Sequence, residues 1–186
     1  MNKPDSWKIE NSEVLNDSKI FKLVKNTSKN LATGKESNFF VIQTPNWVNV
    51  IPTTKSDEVI LIEQFRHGSG KIELEIPGGM IDLGESPENA AIRELKEETG
   101  FECEELVPIG FSLPNPAIQD NRTFHFWAKN CRKTSKTNFD ENESIVLRTV
   151  PIDEIPELVR NAKITHAIVL AAFYNFSVRI DTKSKS

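Results

Sequence analysis

The chain has few cysteines, no long apolar run and no excess of positive charge, and each shortage excludes a class of protein. Only two cysteines occur in 186 residues, Cys103 and Cys131. They are too few for a disulfide framework and too far apart for metal-ligand spacing, which fits free thiols in a reducing cytoplasm. The most apolar run, residues 167–173, is far shorter than the ~20 residues that a membrane span needs. The first residues also lack the apolar stretch of a signal peptide, so we expect a cytoplasmic protein.

The balance of charge is mildly acidic, with a formal net charge of −4. No global positive field is therefore expected to attract nucleic acid or an anionic membrane, and neither is predicted as a partner. The basic cluster within residues 129–136 lies in a polar stretch and is predicted to be a solvated loop. With 38% apolar residues, the chain is long and apolar enough to form one domain with its own core, with room for a small appendage.

Hydrophobic patterning predicts strands alternating with helices, which is typical of the α/β class. Strands are predicted over residues 20–24, 39–43, 48–51, 59–66, 72–76, 107–113, 123–128 and 145–151. One helix has clear ends, because Ser86 can cap it, Pro87 suits its first position and Gly100 suits a left-handed residue after it. Two later helices are predicted over residues 152–161 and 165–176. This order of elements suggests a sheet covered by helices on both faces.

The first predicted helix carries a row of carboxylates along one edge. At ~100° per residue, its core-facing stripe should consist of Ala91, Ile92 and Leu95. Glu94 and Glu98 are four residues apart and should stack beside that stripe, with Arg93 pointing away from them. Carboxylates in a partly buried position are costly unless they are paired or bind a cation. Taken alone, such a run also fits an ordinary charged helix face.

The segment from Gly79 to Phe101 resembles the Nudix box in both its residues and their spacing. The matching positions are Gly79, Glu85, Arg93, Glu94, Leu95, Glu97, Glu98, Gly100 and Phe101. This resemblance implies an α/β/α sandwich with a mixed β-sheet, in which the loop and helix of the box hold divalent cations.

The resemblance also implies a role for each charged residue of the box. The expected metal ligands are Glu94 and Glu98, assisted by Glu97 and by the backbone carbonyl of Gly78. Mg²⁺, with Mn²⁺ as an alternative, is the expected cofactor, because such oxygen ligands suit a hard cation. The expected structural residues of the box are Gly79, Glu85 and Arg93, with Glu85 and Arg93 bracing the loop against the helix.

Segments outside the box resemble the ADP-ribose and nucleotide-sugar pyrophosphatase branch. Residues 61–66 and 73–79 are similar to its strand and to its lead-in to the box. The resemblance implies that Arg66 contacts the substrate diphosphate, where an ordinary surface arginine is the alternative. Glu75 is expected near substrate, either in contact or behind a contacting residue, unless it is only a charge at the end of a strand. Pro116, fifteen residues after Phe101, matches a proline of this branch, but a carboxylate expected after it has no clear counterpart.

The catalytic base of this branch comes from an acidic loop before a late strand, which residues 139–145 resemble. Glu141 is the first choice for activating water and Glu143 the second, and a solvated acidic loop is the alternative. The three histidines, His67, His125 and His166, show no ligand spacing and are expected to be structural.

Taken together, the sequence predicts an N-terminal β-strand region (residues 1–46) that forms a homodimer, a catalytic domain (47–180) and a polar tail (181–186). The predicted function is Mg²⁺-dependent hydrolysis of nucleoside-diphosphate sugars, with ADP-ribose, giving AMP and ribose 5-phosphate, as the favoured substrate. One alternative is a sensor of the same fold that binds ADP-ribose without cutting it. Another is a hydrolase of dinucleoside polyphosphates, GDP-sugars or related compounds.

Overall fold

The structure, a computed structural model, describes residues 3–138 and 144–183. By its internal contacts the chain divides into two compact units. The first unit contains the chain up to Pro45 together with Leu113–Asn121. The second contains Asn46–Ser112 and the chain from Arg122 onward. Among the described residues, no helix is both long and apolar enough to cross a membrane.

The first unit is built on a three-stranded antiparallel sheet. Its strands are β1 (Trp7–Asp17), β2 (Lys22–Asn30) and β3 (Glu36–Gln43), in the order β1-β2-β3. The turn between β2 and β3 is closed by the side-chain oxygen of Asn30, which accepts the N–H groups of Ala32 and Thr33. The sequence patterning missed β1, because every residue of this strand is exposed and its apolar residues mark no buried face.

The second unit contains a mixed sheet and a separate antiparallel sheet. The remaining strands are β4 (Trp47–Pro52), β5 (Glu58–Arg66), β6 (Lys71–Glu75), β7 (Gly78–Met80), β8 (Phe101–Glu102), β9 (Glu105–Ser112), β10 (Thr123–Lys129), β11 (Arg132–Lys133) and β12 (Ile145–Pro151). The mixed sheet has the order β7-β4-β10-β9, and only its β4–β10 pair is parallel. The strands β12, β5 and β6 form the antiparallel sheet, and β8 pairs with β11. The predicted α/β class and mixed sheet are confirmed.

Residues that alternate along the central strands pack against helices on opposite faces. On one face, Val48 and Val50 of β4 pack with helix α1 (Pro87–Thr99) in a cluster that includes Phe126. On the other face, the cluster contains Ile51 of β4, together with residues of α2 (Ile155–Arg160) and α3 (Ala167–Lys183). A short 3₁₀ turn, Ile152–Glu154, precedes α2. The layers therefore form the predicted α/β/α sandwich.

Helix α1 begins and ends where its sequence predicts. The Ser86 hydroxyl accepts the N–H of Asn89 at 3.2 Å, Pro87 is the first helical residue, and Gly100 has a left-handed φ of 73°. The late helices differ more from the prediction. The first is a 3₁₀ turn joined to α2, and α3 continues to Lys183, into the segment that was expected to be a polar tail.

Two predictions about local packing were wrong. Ile92 was expected in the core stripe of α1, but 47% of it is exposed, and Ala90 is buried instead. Glu98 was expected beside that stripe, yet it lies only about 20° from Ala91 around the helix axis, in the middle of the buried face. The basic cluster is also not a loop, because Lys129 lies in β10 and Arg132 in β11.

Candidate active site

The loop before α1 is fastened to the helix through the carboxylate of Glu98. This side chain is only 3% exposed, and its Oε2 accepts the backbone N–H of Gly78 at 2.8 Å. Position 78 has no room for a side chain, because an added Cβ would lie 2.2 Å from the carbonyl oxygen of Val48. The glycine thus lets β7 lie against β4 while its N–H holds the Glu98 carboxylate.

The next glycine leaves space for a second carboxylate. A Cβ at Gly79 would lie 2.3 Å from Oε1 of Glu94, which is a side-chain atom and not backbone. Gly78 and Gly79 therefore bring the loop backbone against the two carboxylates on the inner edge of α1. The metal-binding role that the resemblance implies for Glu94 and Glu98 stays a prediction.

Arg93 gathers the other acidic residues of this region. Its guanidinium donates to the carboxylates of Glu85 at 3.0 Å, Glu94 at 2.8 Å and Glu97 at 3.2 Å, and to the carbonyl of Met80. We call these four charged residues the box network. The expectation that Arg93 points away from Glu94 was wrong, since its long side chain folds back across the helix edge.

The box network also holds the loop in place electrostatically. The hydrogen bond from Arg93 lowers the pKa of Glu85 despite the opposing effect of burial, and the backbone N–H of Asp82, which donates to the Glu85 carboxylate, lowers it further. In return, the carboxylates raise the pKa of Arg93, chiefly through Glu85. Hydrogen bonds between Glu85 and Arg93 thus join the start of the box to the middle of α1, and their bracing role stays a prediction.

The donor chemistry at this edge fits a divalent cation. Glu98 accepts the N–H of Gly78, the carboxylate of Glu94 lies against Gly79, and Glu97 shares Arg93 with Glu94; hard cations such as Mg²⁺ prefer carboxylate oxygens as ligands. As the side chains stand, however, no three acidic, histidine or cysteine side chains among the described residues are arranged around a common metal position. In this arrangement Arg93, and not a metal ion, supplies the positive charge beside Glu94 and Glu97.

A second charged group lies at the end of β6, three residues before Gly78. Glu75 is 1% exposed, and Arg66 donates to it from Nε at 2.8 Å and from Nη2 at 3.0 Å. His166, just before α3, donates from Nδ1 to the same carboxylate at 2.8 Å. We call these three residues the pocket network. Burial alone would raise the pKa of Glu75, but the bonds from His166 and Arg66 outweigh it and hold the pKa at about 2.

The pocket network lines an open cavity of about 420 Å³. Its wall is formed by Trp47, Arg66, His67, Gly68, Ser69, Glu73, Glu75, Thr165, His166 and Ala167. The Thr165 hydroxyl donates to Glu73 at 3.0 Å, so two consecutive residues before α3 bind two carboxylates of β6. His166 was expected to be merely structural, whereas it lies in this pocket and bonds to a predicted site residue.

Comparison with known proteins assigns the family. Residues 44–173 match the family described as NUDIX domain. The chain belongs to the Nudix family. It is 31% identical to a methanol dehydrogenase activator of Bacillus methanolicus over 72% of this chain and 73% of that protein. It is 30% identical to an ADP-ribose pyrophosphatase of Bacillus subtilis over 74% and 75% of the two chains.

A solved structure supports the same fold. The crystal structure of an ADP compounds hydrolase covers the whole of both chains with a TM-score of 0.86 and 23% sequence identity. The predicted Nudix membership is therefore confirmed by family and by fold, and the chain is a Nudix hydrolase. Nudix hydrolases generally use a divalent metal ion.

The remaining predicted residues of this Nudix enzyme lie elsewhere. Pro116 is an exposed turn residue that belongs to the first compact unit, unlike Arg66 and Glu75. Glu141 and Glu143, expected to provide the catalytic base, lie outside the described residues. The described part of the site thus consists of the box network with Gly78, Gly79 and Glu98, and of the pocket network.

Proposed function

We propose that this Nudix hydrolase cleaves the diphosphate of nucleoside-diphosphate sugars, with ADP-ribose as the favoured substrate and Mg²⁺ as the cofactor. The observation that carries the proposal is the short distance along the chain between an acidic edge and a pocket that holds the guanidinium of Arg66. Only Ile76 and Pro77 separate Glu75 from Gly78, so their Cα atoms lie within about 11 Å of each other.

This arrangement matches the charges of a metal-bound diphosphate. The acidic edge, with Glu94, Glu97 and Glu98, would hold the cation, and the guanidinium of Arg66 matches phosphate oxygens in shape and charge. Gly78 would add its carbonyl oxygen to the cation. Glu75 fixes the orientation of Arg66 in this scheme, and its own two oxygens are engaged with Arg66 and His166.

In the proposed reaction, water attacks one phosphorus atom and the bridging P–O bond breaks. The products are a nucleoside monophosphate and a sugar phosphate, which for ADP-ribose are AMP and ribose 5-phosphate. A bound divalent cation would neutralise the phosphate charge and activate the water. The residues of this chain orient the diphosphate through Arg66 and keep the loop against α1 through Glu98.

The proposed base that takes the proton of water is Glu141, with Glu143 as the second choice. The acidic character of residues 139–145 supports this assignment. Comparing Glu141→Gln with Glu143→Gln tests it, because only removal of the base should lower kcat by about 100-fold or more while KM stays the same. Equal and small effects of the two changes would contradict the assignment.

The choice of an ADP-sugar is supported by the names of several relatives. An ADP-ribose pyrophosphatase is 30% identical to this chain, and an ADP-sugar pyrophosphatase of Mus musculus is 36% identical over 60% of this chain and 58% of that protein. The methanol dehydrogenase activator has nearly the same identity, so identity alone does not select the substrate. The combination of metal edge and diphosphate pocket does favour a nucleoside diphosphate.

The test is a substrate panel with a matched pair of variants. Nucleotide sugars, dinucleoside polyphosphates and nucleoside triphosphates are incubated with Mg²⁺, and phosphate is released by alkaline phosphatase and measured. Glu98→Gln should lower turnover by about 100-fold or more, because the carboxylate that faces Gly78 is lost. Glu88→Gln, an exposed glutamate in the first turn of the same helix, should retain full activity.

Each alternative has its own outcome in this panel. Preference for a dinucleoside polyphosphate or a GDP-sugar would replace the proposed substrate while retaining the enzyme. Binding of ADP-ribose without hydrolysis of any diphosphate would show a sensor. Loss of activity in Glu88→Gln as large as in Glu98→Gln would mean that the charge of α1, and not a metal edge, is responsible.

We further propose that the first unit forms a homodimer through its exposed sheet. Within the described part of the chain, strand β1 pairs with β2 alone, and all of its eleven residues are exposed, including Trp7, Ile9 and Val14. Phe39 and Phe40 of β3 are exposed as well. Isolated sheets of this size need a covered apolar face for stability, and a second copy of the chain would supply the cover. This interface is the role expected of residues 1–46.

Sedimentation of two single-lysine variants tests the dimer. Phe40→Lys should shift the protein toward monomer, because a charge would be buried in the interface. Ile72→Lys introduces the same residue at a position of the second unit that is 67% exposed, and it should leave the dimer intact. A wild-type protein that sediments as a monomer would contradict the proposed homodimer.

The remaining expectations concern location and macromolecular partners. The two free cysteines support a reducing cytoplasm, and the net charge of −4 supports the absence of a nucleic-acid partner. Retention of RNA that falls steeply with added salt would contradict the second expectation.

A further inference from the structure

His166 binds the one carboxylate that also holds the proposed diphosphate ligand. Glu75 Oε2 accepts two donors, Nη2 of Arg66 at 3.0 Å and Nδ1 of His166 at 2.8 Å, and its Oε1 accepts Nε of Arg66. The residues come from three separate elements: the end of β5, the end of β6 and the segment before α3. Because Glu75 is only 1% exposed, water cannot replace a donor that is lost.

We propose that His166 is a positioning residue that sets the affinity for the diphosphate by sharing Glu75 with Arg66. The inference rests on the proposed role of Arg66 as a diphosphate ligand. With His166 in place, part of the negative charge of Glu75 is satisfied by the imidazole. Arg66 is then attracted less strongly to Glu75, and more of its positive charge acts on an anion in the pocket.

Among the described residues that line the pocket, the other charged or titratable side chains beside the network are Glu73 and His67. The neighbouring carboxylate, Glu73, accepts the Thr165 hydroxyl at 3.0 Å and pairs with Lys71 at 3.5 Å. His67 lines the same pocket and stacks edge-on with Phe65. The charged or titratable side chains around the pocket network are thus Glu73, with its partner Lys71, and His67.

Without the imidazole, the charge balance of the pocket changes. Glu75 would keep only Arg66 as a partner, and the guanidinium would compensate the whole buried carboxylate. An incoming diphosphate would then compete with Glu75 for the same cation. Binding should weaken in the ground state and in the transition state alike, which raises KM and leaves kcat nearly unchanged.

Two substitutions of similar size separate this role from a purely structural one. In His166→Asn, the amide nitrogen replaces Nδ1 and can still donate to Glu75. In His166→Gln, the amide lies farther along the side chain, near the position of Nε2, and the bond to Glu75 is lost. We expect KM for the nucleotide sugar to rise about tenfold in His166→Gln, the scale of one charge-assisted hydrogen bond, and less than about threefold in His166→Asn.

The control variant is Arg148→Gln, which removes an ion pair with Glu63 on the same strand as Arg66 but outside the pocket. Its KM should equal that of the wild type. The thermal midpoints of all variants are measured alongside. A rise in KM that follows the loss of thermal stability across the variants, and not the presence of a donor to Glu75, would overturn the inference.

A binding measurement distinguishes failure of this inference from failure of the proposed function. ADP carries the nucleoside and the diphosphate but no second sugar. In a calorimetric titration the wild type and His166→Asn should bind ADP with similar affinity, and His166→Gln should bind it about tenfold more weakly. If the wild type cleaves no nucleotide sugar but ADP binding follows this order, the proposed function fails and the role of His166 stands. If ADP binds equally to all three proteins, or to none, the role of His166 is refuted whatever the enzyme hydrolyses.

Discussion

The two charged networks of the second unit have opposite compositions. In the box network one arginine serves three carboxylates, whereas in the pocket network one carboxylate serves an arginine and a histidine. The first therefore keeps a surplus of negative charge, and the second keeps none. A surplus of negative charge attracts cations, so the first network suits a divalent cation. The second network adds no net negative charge that would repel a phosphate from Arg66.

The networks also differ in their exposure to water. The carboxylate of Glu97 is 41% exposed, while that of Glu75 is 1% exposed. Water weakens exposed ion pairs, so Arg93 can release Glu97 to a metal ion at small cost, whereas Glu94 is only 13% exposed and its ion pair is weakened less. The buried bonds of Glu75 have no such replacement. The comparison therefore predicts that the box network is exchangeable, which means that a metal ion can replace Arg93 as a partner of its carboxylates. The pocket network is predicted to be fixed, because Glu75 keeps its partners.

Removal of the shared carboxylate should produce the largest change in stability. Glu75→Gln removes the buried negative charge that Arg66 and His166 share. The folded pKa of Glu75 is about 2, well below the ordinary value of 4.5, so its ionised form stabilises the fold by about 3 kcal/mol at pH 7. The free energy of unfolding, measured with denaturant, should fall by about that amount.

The contribution of Glu75 to the free energy of unfolding should depend on pH. Because the folded pKa is lowered, the contribution of Glu75 is complete above about pH 4.5 and is lost as the pH falls toward 2. Burial lowers the pKa of His125 to about 4, so both proteins also lose stability as the pH falls from about 6.5 to 4. The difference between wild type and variant isolates Glu75. A difference that persists unchanged at pH 2 would contradict a fixed, ionised network.

Substitutions at two adjacent glycines should have different effects, because Gly78 faces backbone and Gly79 faces a side chain that can move. In Gly78→Ala the new Cβ meets the backbone oxygen of Val48, which cannot move without disturbing β4, and stability should fall by about 2 kcal/mol. In Gly79→Ala the Cβ meets the carboxylate of Glu94, which can turn away. This variant should lose less than about 1 kcal/mol but bind Mg²⁺ more weakly. Denaturant unfolding and metal titration check both results, and equal destabilisation would refute the distinction.

The parts of this molecule that were predictable from sequence are those that local rules determine. Ser86, Pro87 and Gly100 define the ends of α1 through bonds at the helix termini themselves. His166 escaped prediction because its partner, Glu75, is 91 residues away in the chain, and only the folded sheet brings them together.

Other features that the sequence did not predict correctly have different physical causes. The position of Arg93 depended on how a long side chain folds across a helix, which the direction of its Cβ does not determine. Ile92 was placed in the core by its apolar character, although the buried arc of α1 is centred on Ala91 and Glu98. Strand β1 has no alternation of buried and exposed residues to reveal it.

Arg93→Gln tests whether the box network is exchangeable. Without metal, the variant has carboxylates at Glu85, Glu94 and Glu97 with no guanidinium between them, and it should be about 1 kcal/mol less stable than the wild type. Saturating Mg²⁺ should supply the missing positive charge and bring the two thermal midpoints closer together. A gap that stays constant from zero to saturating Mg²⁺ would show that arginine and metal do not share these carboxylates.

The smallest effect is expected from an ion pair that belongs to neither network. Lys96 pairs with Glu102 on the exposed side of α1, three residues from Arg93 in sequence but away from the glycine loop. Exposed pairs of this kind are screened by water and contribute little, so Lys96→Gln should leave both the thermal midpoint and its increase with Mg²⁺ unchanged. If Lys96→Gln instead reduced the Mg²⁺ response as much as Arg93→Gln does, the response would reflect the net charge of the helix, and the contrast between an exchangeable and a fixed network would not hold.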